Sequence, residues 1–363
     1  MGSALAMWHY VAATAADRCA VGPANACKTV NAEGTKTADA EGQVDACKTV
    51  HVIVPNAFPA FFNWMPGADK ILIYEKQSKE CDALLAAADL FVCTDFNDPK
   101  RIGPVGAKMM ANPCKKILID HHLNPVDFAD EVHSHPEASS SCEIVYRLIT
   151  ADDRFAVRTK TADAVGARTA NAEGQLPLLD KNIATCIYTG LMTDTGNFSF
   201  NSTSAELYDI IANLLRAGVQ KDEIYNAVFN QYSTDRVRLT GYALYRKMRI
   251  YPEHHLSLIT LSADELDRYH YQVGDTEGLV NMPLQIADVY YSVYMREERP
   301  KPGTPKPRIR ISFRSQGDRP VNIWASEVFN GGGHMNASGG EIFGSLDQAV
   351  KLFENSYMKY LKQ

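Results

Sequence analysis

Short apolar runs alternate with helix-like segments from residue 49 onward, and this alternation restricts the fold more than any other feature of the chain. Residues 84–88, which lie between two of the runs, are predicted to be helical. Strand-like runs are predicted at residues 50–54, 71–74, 90–95, 117–120 and 184–192. Strands that alternate with helices imply a mostly parallel sheet with helices on both faces. The sequence therefore predicts an α/β fold with a doubly wound sheet.

Three of these runs end in a carboxylate, at Asp95, Asp120 and Asp194, and His121 and His122 follow the second of them directly. Ligands bind at the carboxyl ends of strands in such sheets, so we expect these side chains to meet at one edge. Clustered carboxylates repel one another unless a cation lies among them. Carboxylates and neutral imidazoles together suit Mn²⁺ or Zn²⁺. The pattern predicts a metal site, the alternative being aspartates that only cap the following helices.

The sequence pattern changes after residue 246, where strands follow one another with few helices between them. Ser345 and Gln348 have the spacing of a capping box that opens a final helix. Strands are predicted at residues 249–251, 256–261, 289–295 and 308–313. We divide the chain into a first domain at residues 1–218, a helical connector at 219–246 and a smaller α+β domain at 247–363.

A glycine-rich segment at residues 330–340 follows a strand that carries alternate basic residues. Glycines allow backbone N–H groups to approach an anion closely, and His334 can add a charge-assisted hydrogen bond. With a period of two, Arg308, Arg310 and Arg314 share one face of the strand. We expect Arg314 to bind phosphate, because arginine contacts phosphate in a bidentate manner. Arg308 and Arg310 are equally compatible with a solvated strand face.

Composition excludes several classes of protein. The net charge of −6 argues against a nonspecific binder of duplex DNA. No apolar stretch is long enough for a transmembrane helix, and no signal peptide is recognisable. No two of the eight cysteines form a CxxC pair, which argues against a zinc ribbon or a disulfide framework and favours a reducing cytoplasm. Cys93 and Cys186 lie inside apolar runs, where we expect them to be small core side chains.

Two segments, residues 19–50 and 154–175, do not fit this picture because they are rich in Ala, Thr, Gly and Asn. They share a short repeat that begins at Lys28, Lys36, Lys160 and Arg168. The copies are too few and too scattered for a solenoid. They are either low-complexity insertions or stretches in which the recorded sequence is unreliable.

Four motifs, in order and spacing, resemble those of the DHH/DHHA1 phosphoesterases, within the group of oligoribonucleases that also act as 3′-phosphoadenosine 5′-phosphate phosphatases. The resemblance covers residues 1–12, 49–150 and 180–363. The motifs are Thr94-Asp95-Phe96-Asn97, Asp120-His121-His122, Thr193-Asp194-Thr195-Gly196, and Gly331-Gly332-Gly333-His334 with Asn336-Ala337-Ser338-Gly339.

The resemblance implies a DHH catalytic domain with two Mn²⁺ ions and a DHHA1 domain that binds substrate. It implies that Asp95 bridges the two metals and that His121 and Asp194 are ligands of one of them. Asp120 would orient the site, and His122 would face the scissile phosphate. The implied substrate-binding residues are Arg314, Gly332, Gly333, His334, Asn336 and Ser338.

The implied substrates are short single-stranded RNA or DNA oligonucleotides or a nucleoside bisphosphate, with neither duplex DNA nor a membrane as partner and with a homodimer as the possible assembly. Of the family's first motif, a His followed by Asp-x-Asp-Ala-x-Gly-Ser, only the end is recognisable, at Met1–Ser3. The resemblance implies that the His and both acids precede residue 1. Two alternatives to a phosphoesterase therefore stay open, namely a catalytically impaired nucleotide-binding protein and a polyphosphate or pyrophosphate hydrolase.

Overall fold

The computed structural model describes residues 1–20, 49–151, 179–300 and 306–361. These residues belong to two compact units, the first formed by Met1–Ala57 with Phe62–Tyr225 and the second by Phe58–Phe61 with Asn226–Gln363. Most of the repeat-containing segments predicted at 19–50 and 154–175 lies outside the described residues.

Parallel strands and surrounding helices build the first unit. Its strands are β1 (Ile53–Val54), β2 (Leu72–Ile73), β3 (Leu90–Thr94), β4 (Lys115–Asp120) and β5 (Glu131–Ser134). Its helices are α1 (Gly2–Ala20), α2 (Tyr74–Ala87), α3 (Pro104–Ala111), α4 (Ser141–Ala151), α5 (Lys181–Asp194) and α6 (Ala205–Arg216), and α7 (Lys221–Phe229) continues into the second unit. β1 pairs with β2, and β3, β4 and β5 form a parallel sheet in that order. The predicted α/β class with parallel strands is confirmed.

The second unit contains a six-stranded mixed sheet in the order β10-β11-β9-β8-β7-β6, in which only β7 and β8 run parallel. Its strands are β6 (Met248–Tyr251), β7 (Leu256–Leu261), β8 (Tyr291–Glu298), β9 (Arg308–Ser315), β10 (Gly332–His334) and β11 (Ala337–Phe343). Its helices are α8 (Thr234–Tyr242), α9 (Ala263–Arg268), α10 (Asn322–Val328) and α11 (Leu346–Tyr360), and a 3₁₀ helix spans Leu279–Gln285. The predicted capping box forms at Ser345 and Gln348.

The period of two in β9 separates its two faces as predicted. Ile309, Ile311 and Phe313 are buried in a core that includes Trp324 of α10 and Phe353 of α11. The arginines on the opposite face are exposed or half-buried. Burial of the alternate apolar residues therefore fixes which way the basic residues point.

The prediction of a strand at residues 184–192 is wrong, because these residues form the middle of helix α5. Nine residues of this helix are buried, on all sides of it. An uninterrupted apolar run is equally compatible with a buried strand and with a helix surrounded by protein, so periodicity does not distinguish them. Cys93 and Cys186 are buried core side chains, as predicted.

The glycine-rich segment at 330–340, in which the sequence predicted backbone N–H groups that approach an anion, is largely strand. Gly332–His334 and Ala337–Phe343 form an antiparallel hairpin, β10 and β11, at the edge of the six-stranded sheet. A Cβ atom on Gly331 would lie 1.9 Å from the carbonyl oxygen of Gly339. Glycine is therefore needed here for close approach of two backbone segments.

Helices α1, α4 and α5 pack closely at positions where a side chain larger than that of glycine would not fit. A Cβ atom on Gly190 of α5 would lie 2.1 Å from Sγ of Cys142, and one on Gly2 would lie 2.6 Å from the carbonyl oxygen of Cys186. Among the helices of the described ranges, none combines the length and apolar composition that a bilayer-spanning helix requires.

Replacing Gly190 by alanine is expected to destabilise the first unit by about 2 kcal/mol, because the added methyl group overpacks the contact with Cys142. Thermal or urea unfolding measures the change. The double variant G190A/C142A removes the sulfur that the methyl group meets, so it is expected to lose less stability than the sum of the two single variants. Additive losses would show that this contact does not set the helix spacing.

Candidate metal centre

Asp95 directly follows strand β3 and takes a left-handed backbone conformation, with φ of 69°. Its N–H donates to the carbonyl oxygen of Ile119 in the neighbouring strand at 3.0 Å. Its Oδ1 accepts a hydrogen bond from Ser141 Oγ at 2.9 Å. Aspartate is one of the few residues besides glycine that adopt this conformation readily. The strand end and the start of helix α4 together fix the carboxylate.

His121 directly follows strand β4 and is buried. Its Nδ1 lies 3.3 Å from the carbonyl oxygen of Ala138. A carbonyl oxygen only accepts, so Nδ1 carries the proton and Nε2 presents a lone pair. Nε2 lies 3.6 Å from Asp95 Oδ1 and 3.5 Å from Asp194 Oδ2. Burial lowers the pKa of His121, with Asp95 opposing the shift, so the imidazole favours the neutral form that binds metals.

Asp194 is the last residue of helix α5, and its carboxylate lies next to the same His121 nitrogen. Its side chain is 41% exposed, because it opens into a recess while protein surrounds its other sides. Burial and then repulsion from Asp95 raise the pKa of Asp194 to about 7. Two carboxylates held this close ionise together only at a cost, which an added cation would remove.

These three side chains fit a divalent metal. One Asp95 oxygen, one His121 ring nitrogen and one Asp194 oxygen lie within 4.8 Å of one another. Two carboxylates and a neutral imidazole are ligands that Mn²⁺, Fe²⁺ or Zn²⁺ accepts. The tautomer of His121 is the one that a ligand through Nε2 requires. The structure therefore brings together the three residues that the sequence predicted as metal ligands.

Asp120 and His122 form a second pair beside this centre. Asp120 is fully buried, and its Oδ1 accepts a hydrogen bond from His122 Nδ1 at 2.7 Å. Its Oδ2 has no hydrogen-bond partner among the described residues. Ligand atoms of Asp95, Asp120 and His122 also lie within 4.8 Å of one another. A buried carboxylate oxygen without a partner is costly, and a cation bound beside it would remove that cost.

Glu143 holds the turn that orients this centre, and the sequence analysis did not identify it. Its buried carboxylate accepts hydrogen bonds from both N and Oγ of Ser139 at 2.8 Å. This turn carries the Ala138 carbonyl that binds His121 and ends at Ser141, which binds Asp95. The run of serines at 139–141 before an apolar helix was the signal available in the sequence.

A recess of about 150 Å³ opens onto the centre. Its lining residues are Met1, Gly2, Ser3, Phe62, Met65, Asp95, Ser141, Cys142, Thr189, Gly190, Thr193 and Asp194. The residues interpreted from the sequence as the end of the first motif therefore border the predicted metal ligands. Their role in metal binding stays a prediction.

In the second unit, the predicted substrate-binding residues share the β9–β11 region. Arg314 lies opposite Ala337 in the sheet register, next to Ser338. Burial lowers the pKa of Arg314 and the nearby carboxylate of Glu277 opposes this shift. The guanidinium stays charged at neutral pH, as expected for a phosphate contact.

The other predicted polar side chains of this region stabilise the hairpin itself. Asn336 Nδ2 donates to Ser315 Oγ and to the Gly317 carbonyl oxygen, each at 2.9 Å. Ser338 Oγ donates to the carbonyl oxygen of His334 at 2.8 Å. Gly332 and Gly333 pair with Gly339 and Ser338 in the ladder. Their predicted roles in substrate binding stay predictions.

Replacing Glu143 by alanine is expected to weaken binding of Mn²⁺ or Co²⁺ about 10- to 100-fold, because the turn that orients His121 and Asp95 loses its anchor. Calorimetric metal titration measures the loss. Glu143 also accepts a hydrogen bond from Arg147 at 2.5 Å. Glu206→Ala is the matched control, since Glu206 is 79% exposed and its carboxylate lies 3.9 Å from the same Arg147. Equal effects of the two substitutions would contradict the proposed role of Glu143.

Residues 1–191 match the model of the DHH family, N-terminal domain. The chain is 25% identical over 269 residues to the bifunctional oligoribonuclease and PAP phosphatase NrnA of Bacillus subtilis (strain 168), which covers 72% of each protein. It is 29% identical over 297 residues to NrnA of Thermus thermophilus, which covers 81% of this chain and 75% of the relative.

Among solved structures, an exopolyphosphatase-related protein from Bacteroides fragilis is 44% identical, with a TM-score of 0.73, over 86% of this chain and 84% of that one. Members of the DHH family are metal-dependent phosphoesterases, in agreement with the carboxylate and imidazole cluster. Since the family model matches more than half of its residues, the chain belongs to the DHH family.

Proposed function

We propose that this chain is a Mn²⁺-dependent phosphoesterase that hydrolyses short single-stranded oligonucleotides and 3′-phosphoadenosine 5′-phosphate. The observation that carries the proposal is the convergence of Asp95, His121 and Asp194 within 4.8 Å, with the tautomer of His121 fixed. The substrate class is supported by the two NrnA relatives, which are bifunctional oligoribonucleases and PAP phosphatases and align with 72% and 81% of this chain.

In this proposal, Asp95, His121 and Asp194 would hold one metal. A divalent cation bound there would make water available as the nucleophile and would supply positive charge for the phosphoryl oxygens. The Nδ1–H of His122 donates a hydrogen bond to Asp120, and this contact fixes the orientation of the imidazole. Nε2 of that ring would then face the scissile phosphate, and Asp120 acts as its positioning residue.

We further propose residues 1–218 as the catalytic DHH domain, 219–246 as a helical connector and 247–363 as a DHHA1 domain that binds substrate through Arg314 and the hairpin of β10 and β11. A second Mn²⁺ that shares Asp95, the cytoplasmic location and the homodimer stay predictions from the sequence.

Hydrolysis of inorganic polyphosphate or pyrophosphate is the second candidate function. It is favoured by the 44% identity to the exopolyphosphatase-related protein from Bacteroides fragilis. Substrate preference separates the two candidates, because the first requires a nucleoside and the second does not. Initial rates on a dinucleotide, 3′-phosphoadenosine 5′-phosphate, pyrophosphate and polyphosphate, measured side by side with Mn²⁺, decide between them.

Asp194→Asn is expected to reduce kcat/KM on the preferred substrate by at least about a hundredfold, because the metal loses an anionic ligand worth several kcal/mol of charge stabilisation. EDTA is expected to abolish the wild-type activity. Asp222→Asn is the matched control, since Asp222 is an exposed aspartate on helix α7. A folded Asp194→Asn variant with wild-type turnover would overturn the metal assignment.

Arg314→Lys is expected to raise KM about tenfold with little change in kcat, because lysine keeps the charge but loses the bidentate contact with phosphate. Arg310→Lys provides the control, because Arg310 lies on the same face of β9 and is exposed. Steady-state kinetics on 3′-phosphoadenosine 5′-phosphate measures both. If the two substitutions have the same effect on KM, the positive charge of the β9 face as a whole binds the substrate, and Arg314 makes no specific contact with phosphate.

A further inference from the structure

The second unit contains a recess that the proposed metal centre and the predicted phosphate contacts do not use. It lies between helix α8 and the 3₁₀ helix at Leu279–Gln285 and has a volume of about 330 Å³. Its lining residues are Tyr232, Arg236, Val237, Thr240, Glu277, Gly278, Leu279 and Met282. The volume is at the lower end of the range for small-molecule sites, and the mixture of apolar walls with a few polar groups is typical of them.

Arg236 is the charged group of this recess and is only 6% exposed. Its guanidinium carbon lies 3.6 Å from the centre of the Tyr232 ring. Among the described residues it has no carboxylate partner, and its side chain donates one long hydrogen bond, 3.4 Å, to the carbonyl oxygen of Glu277. A guanidinium has five N–H donors, so the donors of Arg236 that the protein does not use remain for a ligand with hydrogen-bond acceptors in the recess.

Tyr232 provides an aromatic surface at the mouth of the recess. Its side chain is 43% exposed although Arg236 stacks on the ring. Leu279 and Met282 add apolar wall. An exposed aromatic ring next to an arginine is the arrangement on which nucleobases stack, and such stacking tolerates any base.

Glu277 links the recess to the proposed phosphate contact. The 3₁₀ helix that lines the recess packs against β9, the strand that carries Arg314, and the Glu277 carboxylate opposes the lowering of the pKa of that guanidinium. Its carboxylate oxygens can accept a hydrogen bond from an exocyclic amino group of a base. The adjacent Gly278 has φ of 80° and open space where a Cβ atom would lie, so the backbone leaves room beside the carboxylate.

We propose that the recess formed by Tyr232, Arg236 and Glu277 binds the base of a nucleotide whose phosphate contacts Arg314. The base stacks on Tyr232, its acceptor atoms meet Arg236, and its amino group meets Glu277. This inference rests on the proposed function in that it names the part of the substrate that the second unit recognises. It also separates a nucleotide from inorganic polyphosphate, which has no base.

The test compares two ligands that differ only in the base. Calorimetry measures binding of adenosine 5′-monophosphate and of ribose 5-phosphate to the full chain in EDTA, so that neither metal nor turnover contributes. The wild type is expected to bind the nucleotide at least about tenfold more tightly. Tyr232→Ala is expected to weaken nucleotide binding about tenfold more than binding of ribose 5-phosphate, as for the loss of one stacking contact. Tyr232→Phe is expected to retain the preference.

Tyr245→Ala is the matched control, because Tyr245 is an exposed tyrosine of the same unit with Arg246 lying over its ring at 5.3 Å. It removes a tyrosine–arginine pair outside the recess, so the preference for the nucleotide is expected to persist. Equal affinity of the wild type for both ligands, failure to bind the nucleotide, or equal losses for both ligands in Tyr232→Ala would overturn the proposal. A chain that binds the base in EDTA but hydrolyses no phosphoester with Mn²⁺ would instead overturn the proposed function alone.

Discussion

The hydrogen bond between His121 Nδ1 and the carbonyl oxygen of Ala138 is the contact on which the candidate metal centre depends. It decides which ring nitrogen carries the proton, and so it turns Nε2 toward the carboxylates of Asp95 and Asp194. The carbonyl is itself held in place, because Glu143 binds both polar groups of Ser139 and Asn201 Nδ2 donates to the same oxygen at 3.2 Å. Ligand geometry is thus set by a backbone turn that contributes no ligand.

The parallel arrangement explains why the sequence could predict that Asp95 and the Asp120–His122 motif lie close together. β3 and β4 are neighbours in register, with Thr94 opposite Ile119, so residues that follow the two strands meet at one edge. Asp194 was predicted at the same edge for the wrong reason, since it lies at the end of a helix and not at the end of a strand. Its position depends on the packing of α5 against α1 and α4, which local periodicity does not encode.

Glu143 and the hairpin illustrate two other limits of sequence reasoning. An acid in the first turn of a helix is usually a surface residue that favours the helix dipole, so nothing local indicates that Glu143 is buried. The glycines of the hairpin were interpreted as allowing backbone N–H groups to approach an anion. The structure shows instead that glycine is required at Gly331 because two backbone segments approach each other closely there. The face of β9 on which Arg314 lies could be predicted, because the alternating pattern of this strand depends only on burial of its apolar residues.

The carboxylate cluster lowers the free energy of unfolding of the chain at neutral pH. The pKa of Asp194 is about 7 in the folded chain, whereas an ordinary aspartate in an unfolded chain has a value near 4. Between about pH 4 and pH 7 the folded chain therefore binds a proton that the unfolded chain does not, so the free energy of unfolding falls as pH rises through this range. A divalent cation bound between Asp95 and Asp194 would take the place of that proton and would restore the lost stability to a degree set by its affinity for the folded chain. Burial and the repulsion from Asp95, which together raise the pKa of Asp194, are for this reason also what a bound cation would relieve.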